Sequence, residues 1–371
     1  MNKKIQFIFI INSLLLILFM GSHGRSQITN DTPTVGQDAI SPPDPFFDKE
    51  VLRGIDLTFN DRFEESLAIF DSLVKIFPNH PAPYFFKAAA YQNWMSAYRF
   101  NKFQDEVEYN VQIAIDKGNE LLKTEHDAWL HFYIGAAYGY RGFNRFRKHN
   151  WIGAYRDGQK GIDNFKEALR ADSSLYDVYL GLGSYHYWRT AKSKFLRIIA
   201  FWMPDKRDLG IRQLKFAIAH GRYSIYESSY VLVAAYFDYK RYNRAYELLD
   251  EVMSRKSVPN IADLYFHGRL MARFERWPEV NSDFRSILAK IENYKYPSYG
   301  FQAECKYWIA KSLYEQKENE EALRWVDESI LLSEKRNEDA ELDGHIEDFN
   351  EIKDKMKELR EELIQGFEKS D

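Results

Sequence analysis

The chain has 371 residues, 45% hydrophobic and 29% charged, with 19 glycines and 11 prolines; this excludes a wholly disordered chain and permits a substantial buried core. Its formal net charge of −4 is unevenly spread: residues 141–222 carry 17 Lys/Arg against 7 Asp/Glu, and residues 315–371 carry 9 against 20. That asymmetry excludes a uniformly basic nucleic-acid binder, and a single cysteine, Cys305, excludes an intrachain disulfide.

In chain order, Lys3 and Lys4, the apolar run Ile5 to Met20 and the small residues Ser22, Gly24 and Ser26 have the composition of a signal peptide. Residues 1–26 are therefore expected to export the chain, or to stay on as an anchor. The apolar run is shorter than the roughly 18–20 residues that span a bilayer comfortably. Polar, proline-bearing residues 27–45 are expected to form a flexible linker.

From Phe46 onward the period is helical. Phe63, Ser66, Leu67, Phe70, Leu73 and Val74 recur at helix spacing and stop at Pro78, after which Tyr84, Ala88 and Tyr91 fall in step. Gly54, Ser66 and Phe70 begin a frame in which a small residue is followed by another residue twelve positions later and an apolar one four further on. Val233, Ala245 and Leu249 repeat it, as do Gly268, Val280 and Phe284, and Ala310, Ala322 and Val326. Small residues at this spacing let two antiparallel helices approach closely, and one hairpin must stack on the next to hide its apolar face. The pattern resembles the tetratricopeptide repeat (TPR). The resemblance implies an all-α, right-handed TPR-like solenoid of about seven hairpins over 46–340. Residues 341–371 are expected to close it with a capping helix whose apolar stripe is Ile346, Phe349, Ile352, Met356, Leu359 and Leu363.

Three central repeats depart from twelve. Ala88 to Val111 is 23 residues, Gly135 to Gly161 is 26 and Gly183 to Gly210 is 27, so each is expected to carry an extension of roughly three helical turns or a loop. Residues 176–221 also show a weaker local resemblance to the TPR family of inclusion-body clearance proteins, which implies an interrupted repeat. In chaperone-binding TPRs an Asn follows the small residue of the first helix. Ile55, Ala89, Ala136 and Ser184 stand there instead, so that carboxylate clamp is not expected.

No HExxH, GxSxG, GxxxxGK[ST] or CxxC motif is present, and the nine histidines show no metal-ligand spacing. Neither an enzyme nor a cofactor is expected. The extensions are aromatic and basic, a combination that grips anionic groups by charge and by stacking. The candidate binding residues are Trp94, Arg99, Tyr140, Arg141, Arg145, Arg147, His149, Trp188, Arg189, Lys192, Lys194 and Arg197. Phe195, Ile198, Ile199 and Trp202 form an apolar run that could lie in a membrane interface or pack between repeats. The expected role is a non-catalytic, exported scaffold for a protein partner in a bacterial cell envelope. An anionic lipid or glycan ligand is the alternative, and a repeat enzyme on cell-wall sugars the third reading.

Overall fold

The computed structural model describes residues 44–191 and 204–368. The expected signal peptide and all but the last two linker residues lie outside that range. The described residues form fifteen helices. In chain order these are α1 (Pro45–Thr58), α2 (Phe63–Ile76), α3 (Pro81–Tyr98), α4 (Gln104–Leu121), α5 (Ala128–Arg147), α6 (Trp151–Ala171), α7 (Val178–Ala191) and α8 (Arg207–His220). There follow α9 (Ile225–Asp238), α10 (Tyr242–Ser254), α11 (Ile261–Arg273), α12 (Trp277–Ile291), α13 (Tyr299–Glu315), α14 (Asn319–Ser333) and α15 (Phe349–Glu368). Taken in consecutive pairs they make seven hairpins and a final helix, as the periodicity implies. The only extended pairing among the described residues is a lone antiparallel bridge between Phe100 and Glu341.

Five of the hairpins share one turn, and it is a signature that the apolar pattern does not contain. Asp61, His149, Lys240, Glu275 and Lys317 each adopt positive φ, between 57° and 69°, two residues before the second helix starts. The next backbone N–H then reaches back five residues: Arg62 to Leu57, Asn150 to Arg145, Arg241 to Tyr236, Arg276 to Met271 and Glu318 to Leu313, all at 2.8–2.9 Å. This is the Schellman closure, whose left-handed position favours glycine. None of the five is glycine. Left-handed backbone costs an L-residue about 1–2 kcal/mol, so Lys240→Gly, Glu275→Gly and Lys317→Gly should each stabilise the protein by about 0.5–1 kcal/mol after the loss of unfolded-chain entropy is counted. Urea unfolding of the triple variant checks this, and an unchanged or lowered midpoint would show that the turns are held by something else.

The helices group into two compact units. Of the described residues, the first comprises 44–52, 69–89, 105–191 and 204–228. Here α5 packs on α6 and α7 on α8 through the glycines at the long spacings. A Cβ on Gly161 would lie 3.0 Å from the Gly135 carbonyl oxygen, and one on Gly210 2.6 Å from that of Gly183. The core is aromatic: Phe86 meets Tyr133 and Tyr223, and Trp129 meets both tyrosines, with ring centroids 5.1–5.9 Å apart. Buried Asp177 accepts the N–H groups of Arg222, Tyr223 and Ser224 at 2.7–2.8 Å, so it caps α9 from outside that helix. Burial sets His80 at about 4. Its neutral Nδ1 accepts the Ala82 N–H, and Phe47 and Tyr133 flank its ring.

Of the described residues, the second unit comprises 53–68, 90–104 and 229–368. Its hairpins meet at the predicted small residues. Ser66 donates to the Gly54 carbonyl at 2.8 Å, and Ala245, Ala310 and Ala322 are fully buried. The capping helix begins at Phe349, later than expected. It buries Phe349, Ile352, Met356, Leu359 and Leu363 against α13 and α14, and Ile346 lies in the preceding loop.

A nearest-neighbour array would not make the other contacts of this unit. Asn260 Nδ2 donates to the Phe59 carbonyl at 2.8 Å, and Ile261 N to Asp61 at 3.0 Å. Residues 99–101 are tied to the loop before α15 by Leu342 N to Arg99 O (3.0 Å) and Asn101 N to Ala340 O (2.8 Å). Glu341 in that loop accepts the Gly300 N–H at 2.7 Å and so caps α13. Early and late repeats thus share one core.

Candidate interaction surface

Two of the proposed binding residues belong to that shared core, which corrects the reading of the first extension as a surface. Trp94 is 3% exposed. It stacks on Phe63 at 5.6 Å and donates its Nε1–H to the Tyr294 hydroxyl at 2.8 Å. Arg99 is also 3% exposed. Its guanidinium pairs with Glu304 at 2.5 Å and lies 3.8 Å from the centre of the Phe301 ring. The composition of this segment reflects aromatic packing and a buried ion pair, so neither residue can meet a ligand without unfolding.

The second extension is where the remaining candidates come together, and it is helical throughout. α5 has 20 residues and α6 has 21, while α9 and α10 have 14 and 13. The fourteen extra residues between Gly135 and Gly161 are shared by the two helices and leave the Schellman turn unchanged. At 1.5 Å per residue the turn is carried about 10 Å further from the glycine contact. Tyr140 stays at the base, half-buried, with its ring 5.9 Å from Phe85. Arg141 forks onto Asp157 at 2.8 and 2.9 Å and also reaches Gln112. Arg145 adds a third contact to the same carboxylate at 2.8 Å. Asp157 is 1% exposed, and two guanidiniums on a buried carboxylate fasten α5 to α6. Burial acts against the charge of Arg141, but the hydrogen bond to Asp157 outweighs it and raises the pKa further. Charge reversal at Arg141 would therefore break the hairpin as well as change its surface.

Beyond this fastening the tip is apolar and basic. Phe143, Phe146 and Ile152 are 50%, 47% and 53% exposed. Phe146 meets Trp151 edge-on at 4.9 Å, and the ring of the turn residue His149 lies 5.4 Å from Trp151. Arg147 reaches over Phe143, and Lys148 pairs with Glu108 at 2.6 Å. Asn150 caps α6 by accepting the Gly153 N–H at 3.0 Å. The exposed apolar residues were not among the sequence candidates. A helical wheel of α5 would have found two of them: Phe143 and Phe146 share with Gly139 a face opposite the buried Ile134, Ala137 and Tyr138.

The third extension contributes Trp188, half-buried with its ring 4.8 Å from Tyr187. The side chain of Arg189, together with Lys192, Lys194, Phe195, Arg197, Ile198, Ile199 and Trp202, lies outside the described residues. Among the described residues no three His, Cys, Asp or Glu are grouped to hold a metal ion, and no helix is long and apolar enough to cross a membrane.

Paired helices, small residues at the crossings and a turn that recurs in five hairpins define a class: this is an all-α, TPR-like helical-repeat protein. No family model matches the chain, and no curated protein does. Among solved structures it is similar to a thermophilic TPR protein of Thermus thermophilus, with 17% identity over 61% of this chain and 97% of that one, at a TM-score of 0.37. It is similar to the C-terminal part of a TPR repeat-containing protein from Cytophaga hutchinsonii, with 18% identity, coverage of 76% and 95%, and a TM-score of 0.38. Yeast Tom70 matches at 13% identity, coverage of 81% and 63%, and a TM-score of 0.36.

Proposed function

We propose that this protein is a non-catalytic scaffold that holds a protein partner at the tip of the α5–α6 hairpin, in the cell envelope of a bacterium. The observation that carries the reading is the exposure of Phe143, Phe146 and Ile152, three large apolar side chains each about half exposed near the end of the α5–α6 hairpin. Arg147 lies over the Phe143 ring, and aromatic residues and arginine are what protein interfaces concentrate. Recognition of an anionic lipid or glycan fits less well, because Arg141 and Arg145 are committed to Asp157 and Lys148 to Glu108. The buried carboxylates of the same unit are likewise engaged: Asp48 by Arg222 and Tyr223, Asp177 by backbone N–H groups. Export is supported by the charged and apolar composition of residues 1–26.

A photo-crosslinking side chain at position 146, expressed in cells, tests this reading. A discrete protein adduct is expected, weakened at least about tenfold by Phe143→Asp with Ile152→Asp, since each exposed apolar anchor contributes about 1–2 kcal/mol. The same probe at Val258, exposed in another turn, should give none. Absence of any adduct at 146, or equal adducts at both positions, would remove the tip as a docking surface.

A further inference from the structure

Residues 342–348 lie over two buried guanidiniums of the second unit, and both ends of this segment are anchored in the fold. At one end Glu341 is buried and accepts the Gly300 N–H and the Ser298 hydroxyl. At the other, Phe349 opens α15 and is buried with the rest of its stripe. Between these anchors no residue is fully buried, and Asp343, His345 and Asp348 are exposed. Polar groups do most of the holding. Leu342 N donates to Arg99 O at 3.0 Å, Asp343 pairs with Arg336 at 2.6 Å, and Glu347 meets Arg269 at 3.1 Å and Lys355 at 2.7 Å. A Cβ on Gly344 would stand 3.2 Å from three atoms of the Arg99 guanidinium, so the backbone there rests on that group. The fit beneath is incomplete. Arg269 and Glu347 pair without a hydrogen bond: Arg269 Nη2, Glu347 Oε2 and Trp308 Nε1 are buried atoms with no hydrogen-bond partner among the described residues. A buried polar group left unbonded bears the full cost of losing water, and lifting the segment gives that water back. Such an opening is local and needs no repeat to unfold.

We infer that residues 342–348 are a strap, seated in the free chain and displaced by a partner protein that lays an extended acidic segment in its place. The strap itself shows the chemistry this surface accepts. It brings a backbone N–H to the Arg99 carbonyl, a residue without a side chain to the guanidinium, and a carboxylate three positions later to Arg269. Arg99 and Arg269 share one buried carboxylate, Glu304, so lifting the strap leaves a positive charge unbalanced and selects an acidic segment over a neutral one. Arg99 stays against the Phe301 ring, 3.8 Å from its centre, and Arg269 against the Trp308 ring at 4.6 Å, so both guanidiniums remain placed to receive it. This inference does not rest on the α5–α6 tip, and its failure leaves that reading untouched.

The probe is a labelled synthetic peptide with the sequence of residues 341–349, added to the purified full chain and followed by fluorescence anisotropy. Wild type should bind it weakly, because a strap seated about nine-tenths of the time lowers the apparent affinity of a rival about tenfold. Gly344→Val sets a side chain against the Arg99 guanidinium and unseats the strap, so it should raise the affinity at least about tenfold. On that variant, a peptide with Gln in place of Glu347 should bind at least about tenfold more weakly, since the charged contact to Arg269 is gone. Hydrogen exchange of wild type gives a reading that needs no variant. The Leu342 N–H should exchange by local opening at least about tenfold faster than the Gly300 N–H, and faster still with the peptide present. Any one of three results overturns the inference: a folded Gly344→Val that binds no better than wild type, a Gln peptide that binds equally well, or a Leu342 N–H that exchanges only on global unfolding. If Gly344→Val does not fold, the exchange measurement decides alone.

Discussion

Arg99→Met should lower unfolding stability by about 3 kcal/mol, within the range for breaking a buried ion pair by removing one partner. The cost comes from what is left behind. Glu304 is 1% exposed, and burial alone would raise its carboxyl above the ordinary value of 4.5. The charges of Arg99 and Arg269 outweigh that and hold it below. Arg269 is more distant, at 3.6 Å, and also serves Glu347 at 3.1 Å, while the Tyr265 hydroxyl donates to Glu304 at 3.0 Å. These partners soften the loss without replacing the 2.5 Å pair.

The pH dependence follows from the sign of that shift. A carboxylate whose folded pKa lies below its unfolded value contributes stability that is fully present above the unfolded pKa and is lost as pH falls through the folded one. In wild type this loss falls below about pH 4.5. In Arg99→Met the folded pKa of Glu304 rises, so less of this stability is present at neutral pH and less is lost on acidification. The deficit relative to wild type should be largest near pH 7 and shrink as pH falls. Urea unfolding across pH 3–8 measures both effects. Adding Glu304→Leu should restore much of the loss, since replacing both partners removes the unpaired charge. A single variant within about 0.5 kcal/mol of wild type would show that the pair contributes nothing net.

Gly210→Ala should be as damaging, by a steric route. The new Cβ would stand 2.6 Å from the Gly183 carbonyl oxygen and 2.8 Å from the Tyr187 nitrogen. Both are backbone atoms, so α7 and α8 must separate, and overpacking of this kind costs about 1–3 kcal/mol or somewhat more. Gly139→Ala is the matched control. A Cβ there meets nothing within 4 Å, and the helix should gain up to about 1 kcal/mol from the better helix former. Opposite signs in urea unfolding are expected. A loss in both variants would mean that glycine is required for something other than the crossing.

Much of the fold could be read from the residues, because close helix crossings admit only small side chains and small side chains leave a period. Gly54 with Ser66, Gly135 with Gly161 and Gly183 with Gly210 were paired by spacing, and the structure brings each pair together. The final helix was placed from a stripe of Ile346, Phe349, Ile352, Met356, Leu359 and Leu363; the last five are buried on it, and Ile346 precedes it. The shared turn was invisible for a physical reason. Glycine is the sequence mark of a left-handed helix end, and the chain uses Asp61, His149, Lys240, Glu275 and Lys317 there instead.

The candidate site was less legible, since exposure depends on partners that spacing cannot supply. Tyr140, Arg141, Arg145, Arg147 and His149 were placed in one extension correctly, but within it Arg141 and Arg145 are spent on Asp157. Phe143, Phe146 and Ile152, which were not among the candidates, are the exposed apolar residues near the tip. Local periodicity by itself determined that the described residues are a run of helical hairpins and how they pair, because those features depend on residues within about thirty positions of one another. Only the tertiary structure decided that Trp94 and Arg99 are core. The groups that bury them, Tyr294 and Glu304, come 200 and 205 positions later, and contacts of that range leave no repeat in the sequence.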